Sequence, residues 1–429
     1  MKESFMKNIE LFSDSELIEP IQRALSAAGY TQPTPIQQKA IPQLLEGRDL
    51  LGCAQTGTGK TAAFALPILQ HMSLDQRRLQ PRQARTLILT PTRELAIQIH
   101  DSLKTYGKFL KLKYAVIFGG VGQGNQVSAL RNGVDVLVAT PGRLLDLVDQ
   151  RHLSLRNIEI FVLDEADRML DMGFVHDIRK IIGMLPKMRQ NLFFSATMPK
   201  DIKQLADSML TNPVMVEVNP VSSTAERIEQ SLMYVERKRK GDLLRHVLKN
   251  PKLKRVIVFT RTKHGANRVS ENLEKNGIRS AAIHGNKSQG ARQRALEDFR
   301  TGRIRVLVAT DVAARGIDID GISHVINFEI PNIAESYVHR IGRTARAGAE
   351  GMALSFCDAE ERSFIRDIEK ITAQKIPIDT DHPYHSEEVA NSRLMSKGKA
   401  KAAIEGGEGK RNGRGGAKRW RGRSFRTRG

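Results

Sequence analysis

At 429 residues the chain is too long for one ordinary core and suits two domains plus tails, and a hydrophobic content of 40% is enough to fold them. Its two cysteines, Cys53 and Cys357, lie far apart without CxxC spacing, so neither a disulfide framework nor a zinc site is indicated and buried reduced thiols are the expectation. The net charge is +21, of which +11 falls in the 37 residues from Arg393 onward, so a polyanionic partner is expected, nucleic acid rather than membrane because no basic amphipathic helix accompanies the charge.

The amino terminus lacks the apolar run of a signal peptide, and nothing approaches the length of a membrane span; a cytoplasmic protein is expected. From Asp49 onward, strand-like runs alternate with helical patterns: DLLGCA, TLILT (86–90), AVIFGG (115–120), DVLVAT (135–140), IEIFVLD and NLFFSAT (191–197). A second series follows: RVIVFT (255–260), SAAIHG (280–285), IRVLVAT (304–310), HVINFEI (324–330) and MALSFC (352–357). Strands separated by helical segments imply parallel sheets with helices on both faces, so two series imply two α/β lobes. The expected boundaries are 1–218 for the first lobe, a Pro/Ser/Thr-rich linker at 219–227, 228–378 for the second lobe, and a disordered basic tail at 379–429.

The acidic run DEAD (164–167) ends a buried apolar strand, where open α/β sheets bind ligands. In a nucleotide hydrolase Asp164 would hold Mg²⁺ and Glu165 would orient and deprotonate the attacking water. AQTGTGKT (54–61) lies between a strand and a helix; its glycines let backbone N–H groups curl around phosphate, Lys60 would reach the β and γ phosphates, and Thr61 would ligate Mg²⁺. Ala54 stands where the strict phosphate-loop pattern has its first Gly, a position that tolerates a small residue. In GYTQPTPIQ (29–37), two prolines fix the backbone so that the Gln37 amide is presented to a purine edge, unless the segment is an ordinary stiffened turn.

Together with PTREL (91–95), GG (119–120), TPGR (140–143), SAT (195–197), VFTRT (258–262), ATDVAARGIDI (309–319) and HRIGRTARAG (339–348), these segments resemble, in order and spacing, the motif set of the DEAD-box RNA helicases. The resemblance implies two RecA-like parallel-sheet lobes in tandem, with ATP and Mg²⁺ as cofactors. It implies that Phe12 stacks on adenine, that Gln37 reads it, and that Ala54, Gln55, Thr56, Gly57, Thr58, Gly59, Lys60 and Thr61 form the phosphate cradle. Asp318 would contact ribose, and Arg343 and Arg346 would be arginine fingers; Ala345, where the family often has Gly, leaves their spacing intact. Arg93, Gly119, Gly120, Thr140 and Arg143, with Arg261, Gln289, Arg292 and Thr310 from the second lobe, would contact RNA backbone, nearly independently of sequence.

Ser195 and Thr197 would relay nucleotide state through Asp167 and His339. Trp420 and Phe425 among arginines suit an RNA-tethering arm, and the basic tail is similar to that of the RhlE-like bacterial branch. The reading is thus an ATP-dependent RNA helicase acting on short duplexes in ribosome assembly or RNA turnover, with ribonucleoprotein or RNA-decay proteins as further partners and a monomer by default. An ATP-gated RNA clamp or chaperone is the alternative, and a DNA translocase sharing the core a third.

Overall fold

The computed structural model describes residues 10–54, 57–75, 77–217, 228–314, 319, 321–344, 351–396, 398–400 and 402. Contacts divide the chain into two units: Met1–Thr224 with Gly285–Arg294 and Val312–Asp320, and Ala225–His284 with Ala295–Asp311 and Gly321–Gly429. The expected linker at 219–227 lies outside the described residues.

In the first unit, seven strands form one sheet: β1 (Leu50–Cys53), β2 (Ala84–Leu89), β3 (Tyr114–Ile117), β4 (Val134–Ala139), β5 (Ile160–Leu163), β6 (Gln190–Ser195) and β7 (Val214–Glu217). Their order is β3-β4-β2-β5-β6-β1-β7, and every pairing is parallel. A parallel connection needs a crossover, and helices such as Lys60–Leu74 and Arg93–Tyr106 supply it. Because helices cover both faces, β2, β4 and β5 are buried at every position, and their sequences are continuous runs rather than alternations. Two apolar clusters result, one around Phe64, Ile88, Val162 and Phe194, the other around Leu87, Leu137, Phe161 and Phe193. Burying each such side chain contributes roughly 1.5–3 kcal/mol relative to exposure.

The second unit repeats the plan with six parallel strands: β8 (Ile228–Tyr234), β9 (Val256–Thr260), β10 (Ser280–Ile283), β11 (Val306–Thr310), β12 (His324–Asn327) and β13 (Gly351–Cys357), in the order β10-β11-β9-β12-β13-β8. At its sheet end lies a buried ionic network. Lys240 bonds Glu361, the Phe356 carbonyl (3.1 Å) and Asp358 (3.2 Å), and Arg261 Nη2 reaches Glu361 at 3.0 Å.

Two expectations are corrected. Order does not end near Ile378: the helix Glu387–Asn391 follows, Val389 enters the apolar cluster of β8 and β13, and Ser386 N donates to the Tyr234 carbonyl (3.2 Å). Among the described residues beyond Ile378, only Val389 and Ala400 are buried aliphatic side chains in that cluster, too few for a periodic signal. Cys357 is buried, but Cys53, at the carboxyl end of β1, is only half-buried. Residues 403–429, including Trp420 and Phe425, lie outside the described residues.

Candidate active site

The strands of the first unit all point the same way, so their carboxyl ends share one edge, and nearly every motif sits there. After β1, Gly59 caps the helix Lys60–Leu74 at φ 92°, a left-handed conformation that favours glycine. A Cβ at Gly59 would overlap Gln37 Nε2 and Thr34 Oγ1, so the position also needs glycine for space. Gln37 explains the crowding. Its Oε1 accepts from Thr34 N (2.8 Å), closing a capping box on the helix Pro35–Leu45, and its Nε2 donates to the Gly59 carbonyl (3.0 Å). The amide therefore braces the phosphate loop. Lys60, 6% exposed, donates from Nζ to the Ala54 carbonyl at 2.7 Å, spanning the loop from inside. Thr58 and half-buried Thr61 flank it, Gly57 takes φ 86°, and Gln55 and Thr56 lie outside the described residues. Phe12 is buried in the apolar cluster with Leu17 and Ile21, its N–H bonded to the Thr31 carbonyl (3.0 Å).

Beyond β5, Asp164 is 3% exposed and its Oδ1 has no hydrogen-bond partner among the described residues. Burial pushes its carboxyl up to about 7; Lys60 pulls it down, and the charge of Glu165 adds to the rise. A buried carboxylate oxygen without a donor, beside a lysine and a threonine at a phosphate loop, fits a hard cation that takes one carboxylate and phosphate oxygens. Glu165 follows at φ 56°, a left-handed conformation that costs a non-glycine residue about 1 kcal/mol. Its carboxylate is held by Arg168, one turn on and itself buried. Arg168 is absent from the sequence reading, although its i, i+3 spacing from Glu165 is the signal that finds it.

Asp167 is the junction of this edge. Its Oδ2 accepts from Ala196 N (3.2 Å), Thr197 N (2.9 Å) and Thr197 Oγ1 (3.0 Å), while its own N–H donates to Ser195 Oγ (3.3 Å). Ser195 Oγ donates in turn to the Thr197 carbonyl at 2.7 Å. The loop after β6 is thus tied to the acidic loop after β5 by one carboxylate. Asp167→Asn removes charge from three of these bonds; ATP-dependent strand displacement is expected to fall about tenfold while basal ATP hydrolysis falls less, and equal losses in both assays would count against a coupling role.

Further along the edge, Arg93 opens the helix Arg93–Tyr106, and its guanidinium occupies the space a Cβ at Gly120 would need. Gly120 has φ 76° and Gly119 has open space around it, as close approach of an anion requires. Arg143 donates from Nη2 to the Val121 carbonyl (3.0 Å), and its buried Nη1 has no partner among the described residues, a donor suited to phosphate. Thr140, buried, begins the helix Pro141–Asp149. Gln289 and Arg292, expected with the second lobe, group with the first unit: Arg292 Nε donates to buried Glu94 at 2.9 Å and Gln289 Nε2 at 3.3 Å. A buried carboxylate needs such partners, which is why it recruits them.

In the second unit, Arg261 is held by Glu361 and Glu329 (3.0 and 3.8 Å), and Thr310 closes β11. His339 lies on the helix Ala334–Ile341, and Arg343, 5% exposed, donates from Nε to the His339 carbonyl at 3.1 Å. Arg340, missed by the sequence reading, is 2% exposed and forks onto Asp311 (2.5 and 2.8 Å), with Asn327 Oδ1 at 3.1 Å and the Glu329 carbonyl at 2.7 Å. It fixes the helix carrying His339 to β12, and its place inside HRIGR was the available clue. Arg346 and Asp318 lie outside the described residues.

A glycine-rich phosphate loop after β1, a buried acidic pair after β5 on the same sheet edge and two parallel-sheet units define a two-unit RecA-like nucleotide hydrolase. The chain matches the DEAD/DEAH box helicase family model over residues 34–205 and the helicase conserved C-terminal domain over 239–348. It is 42% identical over 365 residues to the DEAD-box ATP-dependent RNA helicase CshA of Bacillus subtilis strain 168, covering 85% of this chain and 73% of that protein. The ATP-dependent RNA helicase CshA of Listeria monocytogenes is 43% identical over the same length, covering 85% and 69%. Among solved structures, S. cerevisiae Dbp5 bound to RNA and ADP BeF3 has a TM-score of 0.75 at 32% identity, covering 86% of this chain and 95% of that one. Mss116p bound to ssRNA and AMP-PNP has a TM-score of 0.77 at 28% identity, covering 90% and 81%. The chain belongs to the DEAD-box ATP-dependent RNA helicase family.

Proposed function

We propose that the chain binds the backbone of single-stranded RNA and locally unwinds short duplexes in step with ATP hydrolysis. The observation that supports this most is Asp167, whose carboxylate joins the acidic loop to Ser195–Thr197 beside the phosphate loop. The residues of the phosphate loop hold the nucleotide: backbone N–H groups and Lys60 take phosphate oxygens, and Thr61 with Asp164 would hold Mg²⁺. Bound there, Mg²⁺ supplies charge neutralisation between the phosphates. Glu165, oriented by Arg168, takes a proton from the attacking water. Arg343 and Arg346 are assigned to the negative charge that builds on the γ phosphate, Asp318 to ribose, Gln37 and Phe12 to adenine. Arg93, Arg143, Gly119, Gly120, Thr140 and Thr310 are assigned to RNA phosphates, with Gln289, Arg292 and Arg261 supporting that path, and His339 to the relay.

No helix among the described residues is long and apolar enough to cross a membrane. A cytoplasmic setting, work in ribosome assembly or RNA turnover with ribonucleoprotein or RNA-decay partners, and an RhlE-like basic tail complete the reading. Displacement of a short RNA duplex tests it: strand release is expected with ATP and Mg²⁺, not with a chelator. Nucleotide-dependent RNA binding with no strand release in ATP would favour a clamp over a turning-over helicase. Truncation after Arg393 is expected to leave ATP turnover intact and to flatten the salt dependence of RNA affinity, by about 0.7 in logarithmic slope for each phosphate the tail had neutralised.

A further inference from the structure

The parallel sheet of the first unit has a second edge, formed by the amino ends of its strands and opposite the phosphate loop. The segments entering β2, β3, β4 and β5 there all carry exposed cations: Arg78 and Arg82, Lys111 and Lys113, Arg131, and Arg156. The nearby carboxylates are already committed. Buried Arg85 gathers Glu159 (2.9 Å), Asp75 (3.2 Å) and Asp135 (3.7 Å), and Arg77 adds a second contact to Glu159 at 3.5 Å. Among the described residues, none of the six rim cations is paired with a carboxylate.

Two further observations mark the rim. Arg82 and Arg151 both take left-handed backbone conformations, φ 57° and 60°, and touch each other through Arg82 Nη1 and the Arg151 carbonyl (3.4 Å). Such strain costs about 1 kcal/mol per residue and persists where the surroundings impose it. Two clefts, of about 360 and 640 Å³, meet at Arg77–Gln80; the larger is lined by Arg78, Lys111, Lys113 and Asn132. Strands β3, β4, β2 and β5 are consecutive neighbours, so the rim spans about 14 Å, room for several phosphates. A protein interface would centre on large apolar or aromatic anchors, and among the described residues the clefts offer one large exposed hydrophobic side chain, Met188.

We propose that this rim is a second RNA-backbone site, which holds the phosphates of a duplex or structured segment flanking the strand being worked on. It goes beyond the active-site reading because it shares no residue with it. The full chain carrying Arg78→Glu, Lys111→Glu, Lys113→Glu and Arg156→Glu tests it against a short single strand and the same strand joined to a hairpin. Affinity for the hairpin-bearing RNA is expected to fall at least about tenfold, with the logarithmic salt slope reduced by about 0.7–0.9 for each phosphate no longer neutralised. Short-strand affinity and the ATP turnover it stimulates are expected to stay at wild-type values. A companion variant that keeps the charge, Arg78→Lys with Arg156→Lys, is expected to bind both RNAs as wild type does. Unchanged hairpin affinity overturns the proposal, as do equal losses for both RNAs, or loss of polyglutamate binding with RNA affinity intact.

Discussion

Exchange of Glu165 for glutamine is expected to lower RNA-stimulated ATP hydrolysis by roughly 100- to 10,000-fold while ATP affinity changes little. The substitution keeps size and one hydrogen-bond acceptor for Arg168, and removes the carboxylate proposed to receive the proton of water. Glu165 sits in a left-handed conformation directly after Asp164, buried to 5% exposure, so its carboxylate is placed by backbone and by Arg168 together. Single-turnover hydrolysis with nucleotide binding measured in parallel separates chemistry from affinity. Retained full turnover would take the general base away from Glu165.

The second large effect is expected at Arg343. Its replacement by alanine should lower the rate of ATP cleavage roughly 1,000-fold or more, since an arginine finger acts on charge that exists only in the transition state. Arg343→Lys should recover little, because a point charge does not reproduce the planar fork. The native side chain is buried, and its Nε donates to the His339 carbonyl, one turn earlier on the same helix. Loss of nucleotide affinity with the cleavage rate of the bound complex unchanged would indicate ordinary ground-state binding instead.

The parallel sheets were legible because their strands are continuous apolar runs separated by helical segments, the pattern a sheet covered on both faces demands. Two strands escaped the reading, β7 and β8, and both are edge strands. In β7 only Val216 is buried while Met215 and Glu217 are exposed, so VMVE carries no run; β8 mixes exposed Glu229 with buried neighbours. The phosphate loop and the acidic loop were legible as strings because their chemistry constrains residue type locally. What holds them was not. Glu94, Arg168 and Arg340 act through partners distant in sequence or through burial, and a charged residue in a helical pattern reads as solvated surface until its depth is known. Gln37 was legible as a candidate for a purine edge from its Pro-stiffened segment, but its bonds to Thr34 and to the Gly59 carbonyl, 22 residues on, were not.

Reciprocal linkage between nucleotide and RNA is the central requirement of a helicase built this way, and the Asp167 junction is its proposed local wiring. The direct measurement is the dissociation constant of a non-hydrolysable ATP analogue with and without saturating RNA, alongside that of RNA with and without saturating analogue. The same fold-tightening is expected in both directions, because the coupling free energy is shared. An analogue affinity that RNA leaves unchanged would contradict it.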